Sequence, residues 1–181
     1  MQPQPRIAND TRTLWVIDPT HTTVEFAVKN FFFFTVKGSL TTLEGNIVLD
    51  PDDVRRSSTK VVMQSASIDT GNKRRDAYLR AANFLDADRY PETRFQSTRV
   101  EPGGDRDTLR VTGSLTIKDQ TREVVLDVID VDRSCSPSGE QVAYYTAFAQ
   151  LDRHDFGLDS MRGLIGRVLK ITLNVQATRH A

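Results

Sequence analysis

Val111-Thr112-Gly113-Ser114-Leu115-Thr116-Ile117, then Lys118-Asp119-Gln120-Thr121, then Val124-Val125-Leu126-Asp127-Val128: this stretch decides the fold class. In the first part Val111, Gly113, Leu115 and Ile117 alternate with Thr112, Ser114 and Thr116. In the last part Val124, Leu126 and Val128 alternate with Val125, Asp127 and Ile129. A period of two puts each set on its own face of a strand. The polar break between them is the kind an antiparallel hairpin uses.

The same rhythm spreads outward in both directions. It recurs at Val24, Phe26 and Val28, at Leu43, Gly45, Ile47 and Leu49, and at Val61, Met63 and Ser65. Toward the C-terminus it recurs at Tyr145, Ala147, Ala149 and Leu151, and at Leu169, Ile171, Leu173 and Val175. With a segment at Thr93 to Val100 this makes about eight strands. Pro102-Gly103-Gly104-Asp105 and Pro137-Ser138-Gly139 supply further turns. One segment breaks the rhythm: Asn72 can cap a helix over Lys73 to Ala82, and Tyr90-Pro91 ends that excursion. The expected architecture is all-β, an eight-stranded antiparallel barrel with one helix on a long connection. Its inward sets include Gly45, Ser65, Gly113, Ala147 and Ala149. Such residues either fill a taper or leave a bore, and eight strands is the size at which one ligand fits.

The chain's 181 residues suit one domain. A loose tail is expected over 1–13, the barrel over 14–177 and a short tail over 178–181. Lys and Arg together number 24, as do Asp and Glu, so no global field draws the protein to nucleic acid. Cys135 has no partner for an internal disulfide. The opening Met1-Gln2-Pro3-Gln4-Pro5-Arg6 lacks the apolar core of a secretory signal. No run approaches the ~20 apolar residues of a membrane span, so a cytoplasmic protein without stable membrane insertion is expected.

Signals for chemistry are sparse. His21, His154 and His180 have no ligand partner at i+2 or i+4, and no metal site is expected. Gly163-Leu164-Ile165-Gly166 lacks the strand-loop-helix context of a phosphate cradle. Two charged clusters stand out, Asp69 to Asp76 and Asp152 to Gly157. Paired carboxylates there could act as acid and base. The simpler reading has Asp69 and Asn72 capping backbone groups and Arg75 and Arg153 pairing with acids at the barrel rim. The run Phe31-Phe32-Phe33-Phe34 would pack under the helix, form a dimer contact or line a mouth.

Trp15-Val16-Ile17-Asp18-Pro19-Thr20-His21-Thr22-Thr23-Val24-Glu25-Phe26 resembles the opening motif of the YceI-like family of lipid- and polyisoprenoid-binding proteins. Ser67 to Asn72, with Arg75-Asp76, Leu79-Arg80, Phe84, Tyr90-Pro91 and Phe95, is similar to its central signature. Gly113 to Lys118 and Arg153-His154-Asp155-Phe156-Gly157 match two further motifs, in order. The resemblance covers residues 14 to 177. It implies a lipocalin-like barrel around a hydrophobic tunnel, often dimeric, that binds, carries or stores a polyisoprenoid, an isoprenoid quinone or a fatty-acid derivative. No cofactor beyond that lipid, and no catalysis, is implied. An enzyme acting on such a lipid through Asp69, Arg153 and Asp155 is the alternative. The family usually has histidine where this chain has Asn30, and many members are periplasmic.

The expected ligand contacts are the inward residues Phe26, Val28, Ile47, Met63, Leu115, Ile117, Leu126, Tyr145, Ala147, Ala149, Leu169, Ile171 and Leu173. Phe84, Phe95 and Phe156 join them from the family motifs. Phe31, Phe33, Arg153 and Asp155 are expected at the mouth.

Overall fold

Period-two segments form strands because each buries one face while its backbone pairs sideways. The computed structural model describes residues 10–31 and 33–180. Its strands are β1 (Thr13–Ile17), β2 (Thr23–Asn30), β3 (Phe34–Leu40), β4 (Leu43–Leu49), β5 (Ser58–Gln64) and β6 (Ile68–Asp69). After the helix α1 (Lys73–Arg80) come β7 (Glu92–Pro102), β8 (Thr108–Ile117), β9 (Gln120–Cys135), β10 (Gln141–Asp152) and β11 (Val168–Arg179).

The strands make an eight-stranded closed antiparallel barrel, because three of its ribs are each broken in two. β1 and β2 both pair with the same edge of β11, through Ile17↔Ala177 and Val24↔Leu173. Across from them, β1 pairs with β4 and β2 with β3. β5 and β6 form the third broken rib, interrupted by a 3₁₀ turn at Ser65–Ser67. The remaining ribs follow in sequence from β7 to β11, and β11–β1 pairing closes the ring. Bulges adjust the twist where β7 meets β8, between Ser97 and Arg99, and where β9 meets β10, opposite Tyr144 and Tyr145.

The expected inward set is buried or half-buried at every position, from Phe26 and Val28 on β2 to Leu169, Ile171 and Leu173 on β11. The β9 bulge falls opposite β10, and β10 keeps its expected facing: Ala147 is buried and Phe148 exposed. The β8–β9 turn has two residues, Ile117 pairing with Gln120, and Lys118 adopts a φ of +57°. Asn72 caps α1, its Oδ1 accepting from the Arg75 N–H at 3.1 Å. The helix stops at Arg80, short of the expected Ala82, because Ala81 turns to extended backbone.

The first and last strands include residues of the expected tails. Thr13 lies in β1, and Thr178 and Arg179 lie in β11. The His180 N–H donates to the Leu14 carbonyl, so the expected tail at 178–181 is paired backbone as far as His180. Of the expected N-terminal tail, residues 1–9 lie outside the described residues.

Gly113 on β8 shows how tightly the wall is built. A Cβ there would lie 2.5 Å from Phe95 Cζ and 2.6 Å from the Gln96 carbonyl oxygen. The ring could swing inward, but the carbonyl is held in the ladder. Gly113→Ala is expected to destabilise the protein by about 1–3 kcal/mol, the usual cost of overpacking. A chemical-denaturation midpoint checks this, and an unchanged midpoint would show that the β7–β8 wall yields.

Candidate functional site

Closing eight ribs brings their inward side chains around one cavity of about 210 Å³. That is more than ten times the ~10–15 Å³ that a single water needs. β8 and β9 contribute Val111, Leu115, Ile117, Val124, Leu126 and Val128. β10 and β11 contribute Tyr145, Ala147, Ala149, Leu151, Ile171, Leu173 and Val175. Ile47, Val61, Met63 and Phe95 cover the opposite side. Ala147 sits beside Leu173 and Ala149 beside Ile171, so a small residue is paired with a large one at each level.

The two ends differ. At one, Leu79, Phe84, Leu85, Phe156 and Leu158 join the same buried cluster as Met63, Ile117 and Leu151, which closes that end with apolar side chains. At the other, Ser57, Ser58 and Thr59 line the cavity beside Leu49, Val100 and Leu109. Ser58 is exposed, so the cavity meets solvent there. Nearby Asp50 is fully buried and organises the β4–β5 connection. Its Oδ1 accepts from the Asp52 and Asp53 N–H groups at 3.0 and 3.1 Å, and Arg56 Nε lies 3.2 Å from Oδ2. Burial alone would raise this carboxyl, but the two N–H groups and the Arg56 guanidinium outweigh it and hold it below its usual value.

The wall is chemically quiet. Among the described residues that line the cavity, none carries a carboxylate, imidazole, amine, guanidinium or thiol. Tyr145 is the one lining side chain that can ionise, and burial raises its pKa. Its hydroxyl accepts from Arg133 Nη2 at 3.3 Å, while Arg133 lies over the Trp15 ring at 5.8 Å and pairs with Asp130. No group of three or more His, Cys, Asp or Glu that could hold a metal occurs among the described residues.

Several expected contacts lie elsewhere. Phe26 and Leu169 pack against the buried cluster, and Phe84 and Phe156 belong to it. Val28 is buried as well. None of these five reaches the cavity wall. Phe31 and Phe33 do not line it either; they are 47% and 88% exposed on the hairpin between β2 and β3. Sequence reading missed the Ser57–Thr59 rim, because three hydroxyl residues entering a strand look like any solvated edge.

Arg153 requires the largest correction. No acid among the described residues pairs with it. It is fully buried, and its guanidinium donates to four carbonyls: Gly166 at 2.8 Å, Ser160 at 2.9 Å, Ile165 at 3.1 Å and Leu158. Burial lowers its pKa. Asp155, two residues on, is exposed. Arg75 likewise bonds to Thr70, at Oγ1 (2.8 Å) and the carbonyl (2.9 Å), where an acid was expected. The buried acid Asp76 accepts from the Thr70 N–H and hydroxyl at 2.9 and 2.6 Å. Asp69 does play the expected capping part, accepting from the Gly71 N–H at 2.8 Å. Asp69, Arg153 and Asp155 are all absent from the cavity wall.

The model of the YceI-like domain matches residues 15–177. The chain belongs to the YceI-like family. It is 31% identical over 149 residues to a UPF0312 protein of Vibrio cholerae, covering 81% of this chain and 78% of that one. A UPF0312 protein of Pseudomonas aeruginosa is 27% identical over 159 residues, covering 88% and 82%. Among solved structures, BcnA of Burkholderia cenocepacia superposes with a TM-score of 0.81 at 20% identity, over 90% of this chain and 99% of that one. A polyisoprenoid binding domain from Saccharophagus degradans gives 0.68 at 12% identity, over 92% and 98%. At these identities the two structures speak for the shared barrel alone.

The two neighbours in the Arg153 motif should behave very differently. Arg153→Met strips donors from four buried or half-buried carbonyls, each worth about 1–3 kcal/mol when left unpaired. A loss of roughly 3 kcal/mol or more is expected, against about 0.5 kcal/mol or less for Asp155→Asn. Equal midpoints for the two variants in urea denaturation would contradict the carbonyl-binding role of Arg153.

Proposed function

We propose that this protein binds and carries a long-chain apolar ligand, a polyisoprenoid, an isoprenoid quinone or a fatty-acid derivative, inside its barrel and performs no chemistry on it. One observation carries the proposal: a cavity of about 210 Å³ whose described lining holds no acid or base that titrates near neutrality. Acid–base or nucleophilic catalysis needs such a group within hydrogen-bond reach of the reacting atom. A largely apolar wall offers burial instead, at roughly 0.8 kcal/mol for each methylene taken out of water. The fold shared with a polyisoprenoid binding domain supports the ligand class. A homodimer belongs to the same proposal, with the sedimentation mass as its check.

Recombinant protein is expected to yield a long-chain lipid on organic extraction, and a mass above the bare polypeptide in native mass spectrometry. Ala149→Trp tests where the ligand lies. Its indole would enter space beside Ile171, so the empty protein should keep its melting temperature within a few degrees while lipid retention falls sharply. Phe148→Ala, on the outer face, should leave retention nearly unchanged. Full retention by Ala149→Trp would argue against a ligand in this cavity. A lipid product formed by wild type but lost in Asp155→Asn at unchanged stability would favour the enzyme.

A further inference from the structure

Of the Phe31–Phe34 run, the described rings stand largely exposed at the end of the β2–β3 hairpin. Phe33 is 88% exposed and Phe34 68%. Phe31 is held at a φ of +48°, a left-handed conformation unfavourable for a bulky L-residue, and its ring is still about half exposed. Strain at an exposed aromatic turn points to a use outside the barrel's own packing.

The tip is held from one side. The Phe31 N–H donates to the Leu164 carbonyl at 2.7 Å, and the Gly166 N–H to the Lys29 carbonyl at 2.8 Å. Arg153, through Ile165, Gly166 and their neighbours, fixes the loop that makes these contacts. That loop adds its own exposed apolar side chains, Met161 and Leu164, with Val168 following at the start of β11. The apolar rings therefore stand on a braced platform.

Directly behind the rings lies positive charge. Lys170, Ala27 and Lys37 are register partners across β11, β2 and β3, and so share one outer face. Lys29, opposite Thr35, stands on that face one step closer to the tip. No carboxylate lies within ion-pair distance of these three lysines among the described residues. The segments 27–37 and 160–170 hold five cations and no acid, although Arg162 and Arg167 pair with Asp159 and Asp152. Glu25 is the nearest acid along β2 on the same face, one step behind Ala27. The chain as a whole is neutral, so this is a local asymmetry.

We infer that the β2–β3 tip docks on the surface of an anionic phospholipid bilayer, its phenylalanine rings entering the interface while Lys29, Lys37 and Lys170 meet the headgroups. Aromatic rings gain by leaving water at the boundary of the hydrocarbon, and flexible lysine stems let the amines reach phosphate. The attraction falls off within a Debye length, so it is sensitive to salt. A second copy of the chain would bring the same three lysines to the contact, and like charge disfavours that pairing. Docking stands apart from what the cavity carries, because it uses none of the cavity's lining residues.

Vesicle co-sedimentation tests it. The full chain is mixed with vesicles of phosphatidylcholine alone or of phosphatidylcholine with phosphatidylglycerol, at low and high salt. Wild type should sediment with the anionic vesicles, poorly with the neutral ones, and less as salt rises. Lys29→Glu with Lys37→Glu should weaken binding by at least about fivefold per lysine. Phe33→Ser with Phe34→Ser should abolish it while leaving circular dichroism and uptake of an apolar fluorescent probe unchanged. Such exposed side chains are not needed for folding. Absence of wild-type sedimentation with anionic vesicles overturns the inference, as does sedimentation indifferent to the phenylalanine substitutions. A dimer in sedimentation velocity that the phenylalanine variant converts to monomer, without vesicle binding by wild type, assigns the patch to a second copy and overturns it too. Loss of probe uptake in wild type would count against the cavity reading and leave the vesicle result standing.

Discussion

β11 makes every other feature of this molecule possible by pairing on both edges at once. β10 runs along one edge from Val142 to Asp152, and β1 and β2 share the other. That closure removes the open edges a sheet would present and fixes the distance between opposite walls. Once the width is fixed, the interior is full or hollow according to side-chain size alone. Ala147 and Ala149 leave space where larger residues would meet the far wall, and Gly113 lets Phe95 lie flat along it. The cavity follows from ring size and from a few short side chains.

The breaks in the first three ribs divide the barrel's labour. β1, β4 and β5 close the ring toward the Ser57–Thr59 rim, while β2 and β3 run to the opposite end, where their hairpin meets the Leu164–Gly166 loop. Between them Asp18 turns the chain, accepting from the Thr20 N–H and hydroxyl and facing His21; the Thr20 hydroxyl first, and then His21, hold its carboxyl at about 2. Arg153 secures the other end. A buried charge is tolerated only when fully hydrogen-bonded. Here carbonyl oxygens satisfy it, so one side chain gathers the Leu158–Gly166 loop that a carboxylate partner could not have tied.

The period-two pattern was readable because one face of each strand must be apolar, and that constraint writes itself directly into residue order. It set the inward faces of β8 to β11 and much of the cavity wall. Partners that leave no mark in side-chain identity were invisible. Arg153 and Arg75 looked like halves of ion pairs because acids lie nearby in sequence, yet both bond to oxygens that any residue carries. The rib breaks were hidden for a similar reason: Gln64 to Ile68 continues an acceptable strand pattern while its backbone turns. Val28, Phe26 and Leu169 faced inward as read, but they sit beyond the cavity, at a depth that alternation does not encode. The phenylalanine run offered three readings, and sequence could not show that its described rings stand largely exposed.

A wall without charge also constrains selectivity. Discrimination by hydrogen bonding requires buried polar groups that the wrong ligand would leave unpaired. This cavity has hydroxyls at its solvent-facing rim and on Tyr145, while the remaining lining is hydrocarbon apart from Thr93 and the Met63 thioether. A ligand is therefore distinguished chiefly by the length and shape of its apolar part, with any polar end left toward the rim. One extra methylene changes binding by under about 1 kcal/mol, so neighbouring chain lengths differ little in affinity. A barrel of this kind accepts a class of molecules, and the supply available where it works narrows that class further.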